Sequence, residues 1–168
     1  MARYNSETQE GKCIFCKIAK KEIPPIGNGT FWEDEKFMAI LNPFPNTKGS
    51  AFIITKKHYG SDVLKMSDED LSEFIIATKK VSKILTSYFE DVGRIGVITE
   101  GTGVNHAHIK LFPMHGTEHM KKGIFKQYQS NVDKFFEKYE GYISSHDGPK
   151  ADENKIENLA KELKKIKI

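Results

Sequence analysis

Long apolar runs are missing from this 168-residue chain, and behind its first residues, Met1-Ala2-Arg3-Tyr4, there is no apolar core of the kind a secretory signal peptide carries. The first absence excludes a transmembrane helix, which needs about 20 consecutive apolar residues. The second makes the cytoplasm the expected compartment. A strong charge of either sign is missing too: 26 Lys and Arg against 23 Asp and Glu leave +3, too small an excess to draw the chain to nucleic acid or a membrane surface. Any anion site must therefore be local. Cysteine is scarce, with Cys13 and Cys16 the whole supply, in Cys13-Ile14-Phe15-Cys16. A structural disulfide would be reduced in the cytoplasm, so the pair reads as a redox couple, half of a zinc site short of two ligands, or two buried thiols. A redox motif should follow a strand and open a helix, whereas a polar tail, residues 1–12, precedes this one.

What is present centres on Asn105-His106-Ala107-His108-Ile109-Lys110-Leu111-Phe112-Pro113. Read with a period of two, His106, His108 and Lys110 share one face of a strand and Ala107, Ile109 and Leu111 the other. Side chains two apart on a strand lie roughly 6.5–7 Å from one another, so two imidazoles and an ammonium can converge on one small anion, of which phosphate is the obvious case. Two histidines on a strand are more often ordinary hydrogen-bonded residues. Here, however, the loop Thr99-Glu100-Gly101-Thr102-Gly103 comes first, and its glycines allow backbone N–H groups close to an anion. Pro113, which removes a ladder donor, is expected to close the strand.

At this length one domain with a sizeable core is expected. A short helical turn after Cys16 stops at Pro24-Pro25. Strands are expected at Thr30–Glu33 and Lys36–Leu41 around an Asp34-Glu35 turn, and at Ser50–Thr55, whose apolar run suits the middle of a sheet. An antiparallel meander fits the short connections. Ser67-Asp68-Glu69-Asp70 is a helix start with a serine cap. Leu71, Phe74, Ile75, Thr78, Val81, Leu85, Tyr88 and Phe89 then give an apolar stripe, with Gly93 as the stop and a further strand at Arg94–Thr99. Beyond Met114 a lysine- and aromatic-rich stretch reaches Tyr142, with a helix expected around Gln127 to Tyr139. After a break at residues 144–149, a final helix from about Asp152 carries Ile156, Leu159, Ala160, Leu163 and Ile166 on one face. The fold class is α+β: an antiparallel sheet of about five strands packed with a long helix and a C-terminal helix.

Taken together the motifs resemble those of the histidine triad (HIT) family of nucleotide-binding hydrolases and transferases. His106 through Pro113 match the family's alternating histidine strand with Lys110 in the third histidine position. Cys13-Ile14-Phe15-Cys16-Lys17-Ile18 resembles the start of many members, and Gly49 through His58 resembles their glycine-led strand ending in lysine, any residue, histidine. The resemblance implies a core domain at residues 13–116 with 117–168 as an extension of the same domain.

It also implies a structural zinc ion on Cys13, Cys16, His58 and His106. It implies a nucleophile in His108, which would attack the α-phosphorus of a dinucleoside polyphosphate or nucleoside phosphoramidate and form a nucleotidyl-histidine intermediate. His106 and Lys110 would complete the catalytic group. Phosphate would be held by Gly101, Thr102, Gly103, Asn105 and Lys110, with His115 supplying an extra imidazole. Asn42 would bind ribose beside Phe37 and Ile40 at an adenine base. The expected partner besides the nucleotide is a second copy of the chain. Lysine in the third position donates but does not accept, which keeps a second expectation in view: a nucleotide-binding regulatory protein with little catalysis. A zinc-dependent hydrolase fits less well, because four protein ligands leave the metal no open position.

Overall fold

The computed structural model describes residues 12–126, 128, 134–139, 141–144, 150, 152–163 and 166. It divides into two units, Met1–Phe125 and Lys126–Ile168. Residues 1–11 of the expected tail, residues 127 and 129–133 of the expected helix, residues 145–149 of the expected break, and the side chains of Ile156 and Ala160 lie outside the described residues.

In the first unit the Asp34 carboxylate accepts from the backbone N–H groups of Lys36 and Phe37, at 3.0 and 2.8 Å. This Asx turn reverses the chain between strand β1 (Thr30–Glu33) and strand β2 (Phe37–Leu41). Strand β3 (Ala51–Thr55) pairs with β2 in an unbroken antiparallel register from Phe37↔Thr55 to Leu41↔Ala51. The expected meander stops there. Strand β4 (Val92–Ile98) lies at the sheet edge, and strand β5 (His108–His115) enters between β3 and β4, giving the order β1-β2-β3-β5-β4. The five-stranded antiparallel sheet matches the expected class, with the histidine strand inside it rather than at its rim.

Alternation on β5 sorts the chemistry as the sequence pattern suggests. Ala107, Ile109 and Leu111 are fully buried in one core with Phe37, Ile53, Phe74, Val81, Leu85 and Val92. Helix α2 (Asp68–Tyr88) supplies the cover on that face, starting where the Ser67 Oγ accepts from the Asp70 N–H at 3.2 Å. Burying one side chain such as Phe74 contributes about 1.5–3 kcal/mol. Ile75 and Tyr88, expected in the stripe, are 49 % and 76 % exposed, and Ala77 takes part in their place. On the opposite face Cys13, Phe15, Cys16, Ile18, Met38, Ile40 and Ile54 form a second core, built around the short helix α1 (Ile14–Ala19).

Two punctuation residues act differently from expectation. Gly93 does not end α2, which is capped at Phe89; it lies within β4, where a Cβ would come 2.0 Å from the Thr117 carbonyl oxygen. Glycine is needed there for close approach. Pro113 does not end β5, which runs on to His115. Because β3 begins at Ala51, opposite Leu111, Pro113 has a ladder neighbour only on β4, in Ile95.

In the second unit the Asp152 carboxylate accepts from the N–H groups of Asn154 and Lys155 and starts helix α3 (Glu153–Leu163). Leu159 and Leu163 on it are exposed. The described residues 134–139 are not helical.

Candidate functional site

Four side chains far apart in sequence meet beneath the start of β5. Cys16 Sγ lies 3.2 Å from His58 Nδ1 and 3.5 Å from His106 Nδ1, Cys13 Sγ lies 3.4 Å from His106 Nδ1, and the two Nδ1 atoms are 3.2 Å apart. All four donor atoms fall within 4.8 Å of one another. Bonds of about 2.3 Å to sulfur and 2.0–2.1 Å to nitrogen, set tetrahedrally, require donor separations of about this size.

The tautomer agrees. His106 Nε2 sits 2.8 Å from the Thr55 carbonyl oxygen, which only accepts, so Nε2 carries the proton and Nδ1 offers its lone pair to the cluster. Burial pushes the His106 imidazole down to about 4, which keeps it neutral as a ligand must be. The expected set of Cys13, Cys16, His58 and His106 is thus brought together as a group that can hold a metal ion. His58 arrives from just beyond β3, and α1 presents Cys16.

His106 connects this cluster to the neighbouring imidazole. It lies immediately ahead of the β5 ladder, and its carbonyl oxygen accepts from His108 Nδ1–H at 2.7 Å. That bond fixes the proton on Nδ1 and leaves the lone pair on Nε2. His108 is buried to 3 % exposure, with Phe15 and Phe52 packed edge-on at centroid distances of 5.6 and 6.0 Å. Burial pushes its pKa below the ordinary histidine value, opposed by the hydrogen bond to His106.

His108 and Lys110 line a cleft of about 400 Å³ together with Asn42, Thr102, Gly103 and Val104. The apolar side chains of Ile14, Ile18, Ile26, Ile40, Leu41, Phe44 and Phe52 form most of its remaining wall. Gly103 has φ +89°, a conformation glycine adopts without strain, and it brings backbone to the cleft beside His108. Asn42 is held by its own turn, its Oδ1 accepting from the Phe44 N–H at 2.9 Å. Lys110 is paired with Glu100, a residue of the loop that precedes β5. Burial pushes the Lys110 ammonium below the ordinary lysine range.

The remaining sequence candidates are placed elsewhere. Asn105 accepts from the Ser61 N–H at 3.0 Å and lines a separate cleft with Tyr59, Gly60 and Asp62. Gly101 packs against the Ser61 backbone. Phe37 lies on the other face of the sheet, stacked on Phe74 at 5.1 Å, and does not reach the cleft. His115 is seven residues along β5 from His108, about 23 Å at strand rise. There its two ring nitrogens meet the Asp91 carboxylate at 3.0 Å and the Lys48 carbonyl oxygen at 2.9 Å. Sequence reasoning missed Phe15, Phe52, Val104 and Glu100. Phe15 had a signal, being enclosed by the two cysteines; the place of Phe52 opposite Lys110 depends on the β3–β5 register, which the structure supplies.

Fold and site together define a class: an α+β protein that presents one tautomer-fixed imidazole in an apolar cleft, braced by a two-cysteine, two-histidine cluster. Comparison with known proteins agrees. The HIT-domain family model matches residues 25–117, more than half of the chain. An uncharacterized HIT-like protein of Methanocaldococcus jannaschii is 36 % identical over 107 residues, covering 61 % of this chain and 79 % of the relative. The adenosine 5'-monophosphoramidase of Schizosaccharomyces pombe is 31 % identical over 111 residues, covering 64 % of this chain and 77 % of the relative. Among solved structures, a Streptococcus mutans protein aligns with a TM-score of 0.62 at 21 % identity, over 98 % of this chain and 96 % of that one. A HIT-family protein of Bacillus subtilis aligns with a TM-score of 0.61 at 22 % identity, over 94 % and 98 %. The chain belongs to the HIT family.

Proposed function

We propose that this protein is a nucleotide phosphohydrolase or nucleotidyl transferase in which His108 attacks the α-phosphorus of an adenine nucleotide. One observation carries the reading: His108 Nδ1–H is tied to the His106 carbonyl at 2.7 Å, so the Nε2 lone pair is the one left for attack in the cleft. A bond forms from Nε2 to phosphorus as the bond to the leaving group breaks, and the leaving group departs with a proton taken from solvent, which is returned when the attacking water loses one. Water or another acceptor then takes the nucleotide and restores the imidazole. Developing phosphate charge is met by backbone N–H groups of the Thr102 to Val104 turn and by Lys110. Asn42 meets the ribose, and the apolar wall encloses the base.

The relatives named adenosine 5'-monophosphoramidase support a phosphoramidate as the substrate to try first, with diadenosine tetraphosphate as the polyphosphate alternative. Zinc is the metal that two thiolates and two imidazoles suit best, and Cys13, Cys16, His58 and His106 would hold it. Its contribution is structural, tying α1 to the sheet. Two cysteines gathered with histidines in a metal-ligand cluster, and not joined as a disulfide, are in keeping with the cytoplasm. No helix among the described residues is long and apolar enough to cross a membrane. A homodimer through the β4 edge is supported by Val97 at 48 % exposure and by Ile76 and Ile84 uncovered on α2.

The test is turnover of adenosine 5'-phosphoramidate and diadenosine tetraphosphate, followed by AMP release, in wild type and His108→Ala. Release that falls by three or more orders of magnitude in the variant supports the enzyme. Tight AMP binding with no release from either substrate replaces it with the regulatory reading.

A further inference from the structure

The cleft beside His108 is poorly equipped for a highly charged ligand. Among the described residues that line it, Lys110 is the one cation, and apart from Asn42, Thr102, Gly103 and His108 the rest of the wall is aliphatic, aromatic or proline. That cation is already engaged. Glu100 holds its carboxylate against the Lys110 ammonium, with the two side chains only 13 % and 22 % exposed. Other groups of lysine and arginine exist, such as Lys79, Lys83, Arg94 and Lys121, but they line a separate groove between α2 and β4. The site therefore brings a lysine and a carboxylate together, with a net charge near zero, two residues along β5 from the attacking imidazole.

Resting on the reading of His108 as the attacking group, we propose that Glu100 is the specificity-determining residue of the cleft. It discharges Lys110, so that the site accepts a nucleotide whose negative charge is confined to one phosphoryl group and turns away nucleotides bearing further phosphates. A phosphoramidate or monophosphate ester places a single phosphoryl group between His108 and the Thr102 to Val104 turn, where backbone N–H groups and a Lys110 whose charge Glu100 already balances suffice. A polyphosphate must bring more anionic oxygens past Lys110 and into the field of a carboxylate that is largely shielded from water, and like charges there repel strongly. Glu100 does not itself line the cleft, so its effect is electrostatic. Its removal changes charge selection without removing a surface that the substrate touches.

The experiment measures kcat/KM for adenosine 5'-phosphoramidate and for diadenosine tetraphosphate in wild type, Glu100→Gln and Glu100→Ala, with circular dichroism to show that each variant is folded. Wild type should prefer the phosphoramidate. Both variants should raise the ratio of polyphosphate to phosphoramidate kcat/KM by about tenfold or more, with a steeper loss of polyphosphate turnover as salt is added. A ratio unchanged within twofold in both variants overturns the proposal, as does a shift toward the phosphoramidate. If wild type turns over neither substrate, the catalytic reading fails and charge selection is decided by calorimetry. An affinity ratio of ATP to AMP that rises about tenfold in Glu100→Gln then sustains the role of Glu100, and an unchanged ratio ends it.

Discussion

Cys16 Sγ and His58 Nδ1 lie 3.2 Å apart although 42 residues separate them in the chain, and both also approach His106 Nδ1, at 3.5 and 3.2 Å. The cluster thereby ties α1, the segment after β3 and the entry to β5 at one point. Because the His106 carbonyl is the acceptor for His108 Nδ1–H, a disturbance at the cluster reaches the imidazole in the cleft through one residue.

A metal ion on this cluster is the first expectation. Purified protein should carry about one zinc per chain, and Cys16→Ser should lose it and lower the melting temperature by roughly 10 °C. Emission spectrometry of metal content with a thermal melt measures both. Zinc absent from wild type, or retained at full stoichiometry in Cys16→Ser, would contradict the assignment.

The Asp91–His115 pair predicts a pH window for stability. Hydrogen bonds to the Lys48 carbonyl and the Asp91 carboxylate raise the His115 pKa above its ordinary value of 6.5. Asp91 is lowered below 3.8, chiefly by its hydrogen bond from His115. The raised histidine stabilises the fold in full below the unfolded value and loses that contribution as pH rises through the folded value. The lowered aspartate contributes above its unfolded value and loses it as pH falls through the folded one. The pair therefore contributes most between about pH 4 and 6.5. Urea midpoints of wild type and His115→Gln should differ more at pH 5.5 than at pH 8.5. An equal gap at the two values would show that the pair does not titrate with folding.

Gly93→Ala probes the close approach of β4 to the turn at Thr117. A Cβ placed 2.0 Å from a backbone carbonyl oxygen cannot be relieved by a side-chain rotation. Backbone must move, and the Gly93 N–H would lose its 2.9 Å bond to Thr117 Oγ1. A destabilisation of about 2–4 kcal/mol is expected, read as a lower urea midpoint at unchanged m-value. Gly123→Ala, where a Cβ meets nothing within 4 Å, is the comparison. It should cost only the roughly 1–2 kcal/mol of a non-glycine residue at φ +75°.

Much of this arrangement is legible in the chain. A period of two on residues 106–111 separates chemistry from core because β5 is a strand with both faces covered. The cluster of Cys13, Cys16, His58 and His106 is legible through family likeness, since nothing local connects Cys13 to residue 106. Nearness in sequence misleads at His115 and Asn105. Pro113 reads as a strand end, but β5 continues past it and carries His115 far from His108, while Asn105 turns back to Ser61. Gly93 misleads in the same way, because a glycine shortly after a helix serves a close approach as readily as it serves a cap. The pairing of Glu100 with Lys110 crosses a loop whose path no residue pattern specifies, so only the structure reveals it.

The proposed function rests on covalent nucleotidylation of His108. Rapid quenching of the enzyme during turnover of adenosine 5'-phosphoramidate, followed by intact mass and peptide mapping, tests it most directly. The expected result is an adduct of one adenylyl group on the peptide that contains His108, acid-labile as a phosphoramidate is and absent in His108→Ala. Turnover that proceeds with no adduct at any quench time, or an adduct mapped to another residue, would contradict it.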